Sequence, residues 1–146
     1  MTLYKLSRAG LGFSILSIIA GAVVRATGSG NGCGSSWPSC NGQLIPSLNS
    51  ASEQIEFSHR AISGLLLVIT LIIFLKSFSS SVTPPQKRII NYLTFFVLFE
   101  ALIGAVIVLY EWVGMNSSTP RIAAVPLHLV NTCGLLAMYA ILFKVS

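Results

Sequence analysis

The sequence predicts an all-α membrane protein, a bundle of four transmembrane helices with both termini on the cytoplasmic side. Three observations lead there. Of its 146 residues, 53% are hydrophobic and only 9% charged, and mean hydropathy is +0.79, a balance that suits lipid better than water as the solvent. Four apolar segments each reach the ~20 residues needed to cross ~30 Å of hydrocarbon. None shows strand-like alternation, so helices are the spanning option. Finally, Lys and Arg gather at the segment ends that share one side.

The first segment covers residues 3–27. Lys5 and Arg8 followed by an apolar run resemble a cleaved leader. The run is long for one, however, and Arg25 sits awkwardly beside any cut at Val24–Ala26, so a retained helix is expected. Gly10, Ser14, Ser17 and Gly21 form a small-residue stripe that allows close backbone approach. A glycine-rich, uncharged connector (28–51) follows and holds Cys33, Trp37-Pro38 and Cys40. The second segment, 52–77, carries Glu56, His59, Ser63 and Thr70 on one seam. A connector over 78–86 is expected, with Thr83-Pro84-Pro85 as its breaker. The third segment, 87–111, carries Glu100 in the middle of its long apolar run. A connector over 112–119 leads to the fourth, 120–144, where His128, Asn131 or Thr132, Leu135 and Tyr139 make a similar stripe and Cys133 is expected to pack as a small residue.

Net charge is +5, but the basic residues are scattered and no nucleic-acid motif is present, so nucleic acid is excluded as a partner and membrane lipid is expected. Lys5, Arg8, Lys76, Lys87, Arg88 and Lys144 fall on one side, which the positive-inside rule makes cytoplasmic. The sequence therefore reads as a multi-pass plasma-membrane protein, with the Cys33–Cys40 loop on the extracytoplasmic side. Outside the cytoplasm disulfides form and persist, and the short Gly/Ser-rich gap lets the two sulfurs meet. Such a bridge is either a staple for the loop or a redox-active pair. Zinc lacks its four ligands there.

Both histidines lie inside predicted membrane helices, where an ionisable group costs a few kcal/mol and normally faces the bundle interior. His59 lies ~10 Å along the second segment and His128 ~12 Å along the fourth. Both segments enter from the outer face, so the imidazoles are expected at similar depth. One account makes them polar glue between helices. The other makes them axial ligands gripping one haem from both sides, in a bundle core of the kind that holds cofactors.

Arg25, Arg60 and Arg121 sit at outer helix ends, against the positive-inside trend. Guanidinium forks pair two-pronged with carboxylates, and haem carries two propionates. A local alternative pairs Arg60 with Glu56 at i,i+4. Glu100 reads as a proton relay, an interhelical donor or a contact to the cofactor edge. Glu56, one turn outward of His59, is the preferred carboxylate for acid–base or charge-stabilising chemistry.

Arg25-Ala26-Thr27-Gly28-Ser29-Gly30, Cys33, Trp37-Pro38, Cys40-Asn41-Gly42, Ile45-Pro46, Glu56-Phe57-Ser58-His59-Arg60 and Leu127-His128-Leu129 together resemble the first half of haem A synthases. The resemblance spans roughly residues 21–132 and rests on the combined order, since no single piece is specific. It implies an oxidoreductase that converts haem O to haem A by oxidising the C8 methyl to a formyl group, for terminal oxidase biogenesis. His59 and His128 would be the haem-iron ligands. Glu56 would be the carboxylate beside the substrate, stabilising positive charge at the reacting methyl. Cys33 and Cys40 would be the disulfide over the site, stabilising it or passing electrons. The bound group would be haem O as substrate, haem b, or both.

Family members ordinarily have eight helices in two similar halves, each with a His pair, whereas residues 1–146 read as one four-helix haem-binding domain with one pair. A homo-oligomer is expected to rebuild the second half, with haem O synthase and terminal-oxidase assembly factors as candidate partners. Two other readings stand beside this one. One is a non-catalytic b-type haem protein of the membrane. The other is an outward-facing thiol–disulfide protein in which the histidines only pack.

Overall fold

A computed structural model describes residues 2–47, 49–113 and 118–146. Four long helices dominate it: α1 (Leu3–Ala26), α2 (Ala51–Lys76), α3 (Pro84–Leu109) and α4 (Thr119–Val145), with one 3₁₀ turn, Ser29–Asn31, among the described residues. Each helix is long and apolar enough to cross a membrane.

Local chemistry sets the helix starts. Thr2 Oγ1 accepts from the Lys5 N–H at 3.3 Å, and Ser50 Oγ accepts from the Glu53 N–H at 3.3 Å; both are N-caps that satisfy an otherwise orphaned donor. The 78–86 connector is shorter than expected. Pro84 and Pro85 open α3 rather than ending the loop, because a proline in the first turn lacks only an N–H that would have no helical partner anyway. Gln86 Oε1 accepts from the Thr83 N–H at 2.9 Å, and Gln86 Nε2 donates to the Val145 carbonyl at 2.7 Å. One side chain thus caps α3 and ties it to the end of α4. Residues 114–117 of the expected 112–119 connector, and residue 48 of the first, lie outside the described residues.

The helices form a ring in which each packs on its neighbours in sequence and α1 closes on α4. The pairs α1/α3 and α2/α4 are diagonal. Packing is uneven along the ring's axis. Away from the long loop, Leu6, Leu66, Ile73, Ile90, Leu93, Val97, Leu135, Tyr139 and Leu142 form one buried cluster. The expected seams meet there: Thr70 Oγ1 and Tyr139 Oη lie 2.6 Å apart, and a Cβ on Gly10 would sit 2.0 Å from Tyr139 Cε1. No larger residue fits beneath that ring, so the small-residue stripe of α1 is a packing requirement.

Toward the loop the pattern changes. Buried residues of α1 end at Ser14, α2 has none between Glu56 and Leu66, and those of α4 begin only at Asn131. Cys133 is free and exposed, contrary to the packing role expected of it. Its i,i+3 and i,i+4 neighbours are not those of the buried Leu135 and Tyr139, so the turn of α4 carries it outward.

Candidate functional site

The loop between α1 and α2 covers one end of the bundle and is held by two side chains of α2. Backbone geometry comes first. Gly28 ends α1 at φ +68°, the left-handed conformation that glycine adopts without strain. Asn41 and Gly42, at φ 50° and 77°, form the two-residue turn for which Asn-Gly is suited, closed by reciprocal Cys40–Gln43 backbone bonds of 2.9 Å. Cys33 and Cys40 are thereby brought together, with sulfurs at 2.05 Å and Cα atoms 4.3 Å apart, and both are buried.

Glu56 and Arg60 clasp this unit. Glu56 Oε2 accepts from the Cys33 N–H at 2.9 Å, and Oε1 pairs with Arg60 Nη2 at 2.5 Å. Arg60 Nη1 donates to the Ser36 and Ser39 carbonyls, each at 2.6 Å. These side chains are 4% and 11% exposed, so charge and carbonyls share a site largely shielded from solvent, where such bonds are strong. The local Glu56–Arg60 pair anticipated from the i,i+4 spacing is present. Arg60's added grip on two loop carbonyls has no signal in the sequence, because a backbone carbonyl has no residue type.

Between Glu56 and Arg60 on α2, one turn beyond the former and next to the latter, is His59, and on the diagonal helix is His128. They lie roughly 12 and 14 Å from their helix starts at 1.5 Å per residue, so the two imidazoles share a level, and they are close enough to interact electrostatically. Each lies against a glycine of a different neighbour: His59 Cε1 is 3.1 Å from where a Gly21 Cβ would be, and His128 Cε1 is 3.6 Å from that of Gly104. Both Nδ1 atoms are buried without a hydrogen-bond partner. Two such imidazoles, on diagonal helices and at the level where α1, α2 and α4 bury few side chains, fit a planar group bound from both faces through iron.

Glu100 lies on α3 beside the second histidine. Asn131 Nδ2 donates to its Oε2 at 2.6 Å, the Thr132 hydroxyl bonds its Oε1, and His128 Nδ1 is 3.2 Å from the same Oε1. The α4 partners are His128 and the residues three and four beyond it, which share a face. That spacing was visible in the sequence; the pairing with Glu100 was not. Of the remaining expected site residues, Arg25 is exposed and Arg121 half-buried. Pro126, two residues before His128, lies inside α4 and removes one helical hydrogen bond there.

The sequence matches the cytochrome oxidase assembly protein family COX15-CtaA over residues 6–55 and 48–144. Among curated relatives, a protoheme IX farnesyltransferase of Thermus thermophilus is 41% identical over 132 residues, 88% of this chain and 21% of that protein. A heme A synthase of Exiguobacterium sp. is 35% identical over 133 residues, 89% of this chain and 42% of the relative. One from Bacillus cereus is 29% identical across 90% of this chain and 42% of its own length. The chain therefore spans between a fifth and a half of these relatives. No solved structure matches it. With four membrane-crossing helices and a match running almost end to end, this multi-pass membrane protein belongs to the COX15-CtaA family of cytochrome oxidase assembly proteins, alongside the haem A synthases that it resembles.

Proposed function

We propose that this chain binds haem between His59 and His128 and acts in haem A formation, oxidising the C8 methyl of haem O to a formyl group. The observation that carries the reading is the pair of imidazoles at one level on diagonal helices, where α1, α2 and α4 bury few side chains, in a family that includes haem A synthases. Methyl to formyl takes up one water oxygen and releases four protons and four electrons, so a redox acceptor, either a second haem or an external carrier, completes the reaction. When bound, the iron porphyrin supplies the redox chemistry.

The chain's own residues do the rest. His59 and His128 would hold the haem iron. Glu56, held rigid by Arg60 and the Cys33 N–H, places negative charge one turn from His59 and stabilises positive charge developing at the reacting methyl. Arg25, Arg60 and Arg121 are the candidates for pairing with the haem propionates, Arg60 while also engaged by three oxygens of the protein. The Cys33–Cys40 disulfide faces the extracytoplasmic side and holds the lid over the site. The chain associates with further copies of itself, draws haem O from its synthase and passes haem A toward oxidase assembly.

Co-expression with a haem O source, followed by mass identification of the extracted haems, tests the reading. Haem A or hydroxylated haem O is expected. Haem b alone would make the protein a non-catalytic haem carrier. No haem at all, together with a mixed disulfide trapped at Cys33 or Cys40, would leave thiol–disulfide exchange as its role.

A further inference from the structure

The two histidines have unlike surroundings. His59 meets Gly21 of α1 and the backbone of Ser17. His128 has a carboxylate beside it: Glu100 Oε1 lies 3.2 Å from its Nδ1. A carboxylate in the middle of an apolar helix is costly and normally has a task. Three α4 side chains converge on this one, and two of them hold it in place. Asn131 Nδ2 also donates to the Phe96 carbonyl at 2.9 Å, which pins the amide that grips Glu100 Oε2. The Thr132 hydroxyl sits between Glu100 Oε1 and the His128 carbonyl, 2.8 Å from the latter.

We propose that Glu100 is a positioning residue for His128, taking its Nδ1–H so that Nε2 is presented to the haem iron as a strongly donating ligand. The inference rests on the reading of His128 as an axial ligand. A ligating histidine commonly passes its other N–H to a carboxylate, which fixes the tautomer and the ring orientation and raises the ligand's basicity. Here the Nδ1 contact is within reach but off the line of a hydrogen bond, so rotation of the ring aligns it without moving a helix. A role confined to tying α3 to α4 accounts for Asn131 and Thr132. It does not account for the approach to Nδ1. The two axial ligands are thereby unequal: His128 is the stronger donor, and it favours the ferric state.

The test compares wild type with Glu100→Gln, each purified with haem b as the probe, by redox titration and low-temperature electron paramagnetic resonance. The amide of Glu100→Gln keeps an oxygen for Asn131 or Thr132 and removes the charge. It is expected to retain a low-spin bis-histidine signal with altered g-values, while its ferric-to-ferrous ratio at fixed poise falls about tenfold, equivalent to about 59 mV for a one-electron couple. Glu100→Asp is expected to restore part of the shift. Where Glu100→Gln fails to fold, Asn131→Ala, which loosens the carboxylate and leaves it charged, decides by showing a smaller shift of the same sign. Unchanged potential and g-values in the variant that folds would overturn the proposal while leaving the haem site intact. A wild type without a bis-histidine signal would overturn the ligand assignment on which it rests.

Discussion

The two halves of the bundle are built on different principles. The half away from the long loop is closed by apolar interdigitation: Tyr139 lies over Gly10 and bonds Thr70, and Ile73, Ile90, Leu93 and Leu142 fill the space around it. The half under the loop carries few buried side chains on α1, α2 and α4 and is held from outside. Its hold is a lid of two linked cysteines, which Glu56 and Arg60 clasp through backbone groups. A core packed at crystal-like density leaves no room for a ligand. A pair of imidazoles facing across a bundle needs that room. On the proposed haem site, the division would keep the stabilising half apart from the binding half.

This contrast can be broken at its stiffest point. Gly10→Leu would drive a side chain into the Tyr139 ring, where even a Cβ falls 2.0 Å from Cε1. Overpacking costs about 1–3 kcal/mol and more when the neighbour cannot move, so folded yield and Tm in detergent are expected to fall sharply. Gly104→Ala, at the histidine level, adds only an ordinary contact at 3.6 Å from His128 and is expected to leave both unchanged. Equal tolerance at the two glycines would erase the distinction between the halves.

Next in size is the clasp. Arg60→Ala frees the Ser36 and Ser39 carbonyls and leaves Glu56 as a buried carboxylate without its cation, a loss of about 3 kcal/mol. Because the loss is local, the expected result is a lid that opens while the bundle stays folded. After mild reduction, Cys33 and Cys40 should alkylate much faster than in wild type, with little change in helicity. Protection equal to wild type would show that the loop holds itself.

How much of this was legible in the sequence depends on whether the information sits in residue types or in backbone groups. The helices were legible because lipid admits little else, and the depth of His59 and His128 followed from helical rise alone. The seams through Thr70 and Tyr139 followed from spacing. Pro84-Pro85 misled, since the same dipeptide ends one element or begins the next, and Gln86 at the third helical position was the clue to the second. Arg60's real partners were invisible because they are main-chain carbonyls of a loop whose shape depends on left-handed Asn41 and Gly42. Glu100 stood out as an oddity, but its α4 neighbours could be named only once the ring order of the helices was known.

Smaller effects sharpen the picture. Tyr139→Phe removes the hydroxyl bonded to Thr70 and is expected to cost about 1 kcal/mol, visible as a modest drop in Tm with no change in any haem spectrum. A spectral change would mean that the two halves are coupled. Cys133→Ser, on an exposed face, is expected to change neither stability nor pigment.

The central claim is that His59 and His128 grip one iron. The direct measurement is the low-temperature electron paramagnetic resonance and pyridine haemochrome content of purified wild type, His59→Ala and His128→Ala. Wild type should show a low-spin bis-histidine signal at stoichiometric haem, and each single variant should lose that signal. Retention of the low-spin signal in both single variants, or a wild type that purifies without haem, would contradict the account.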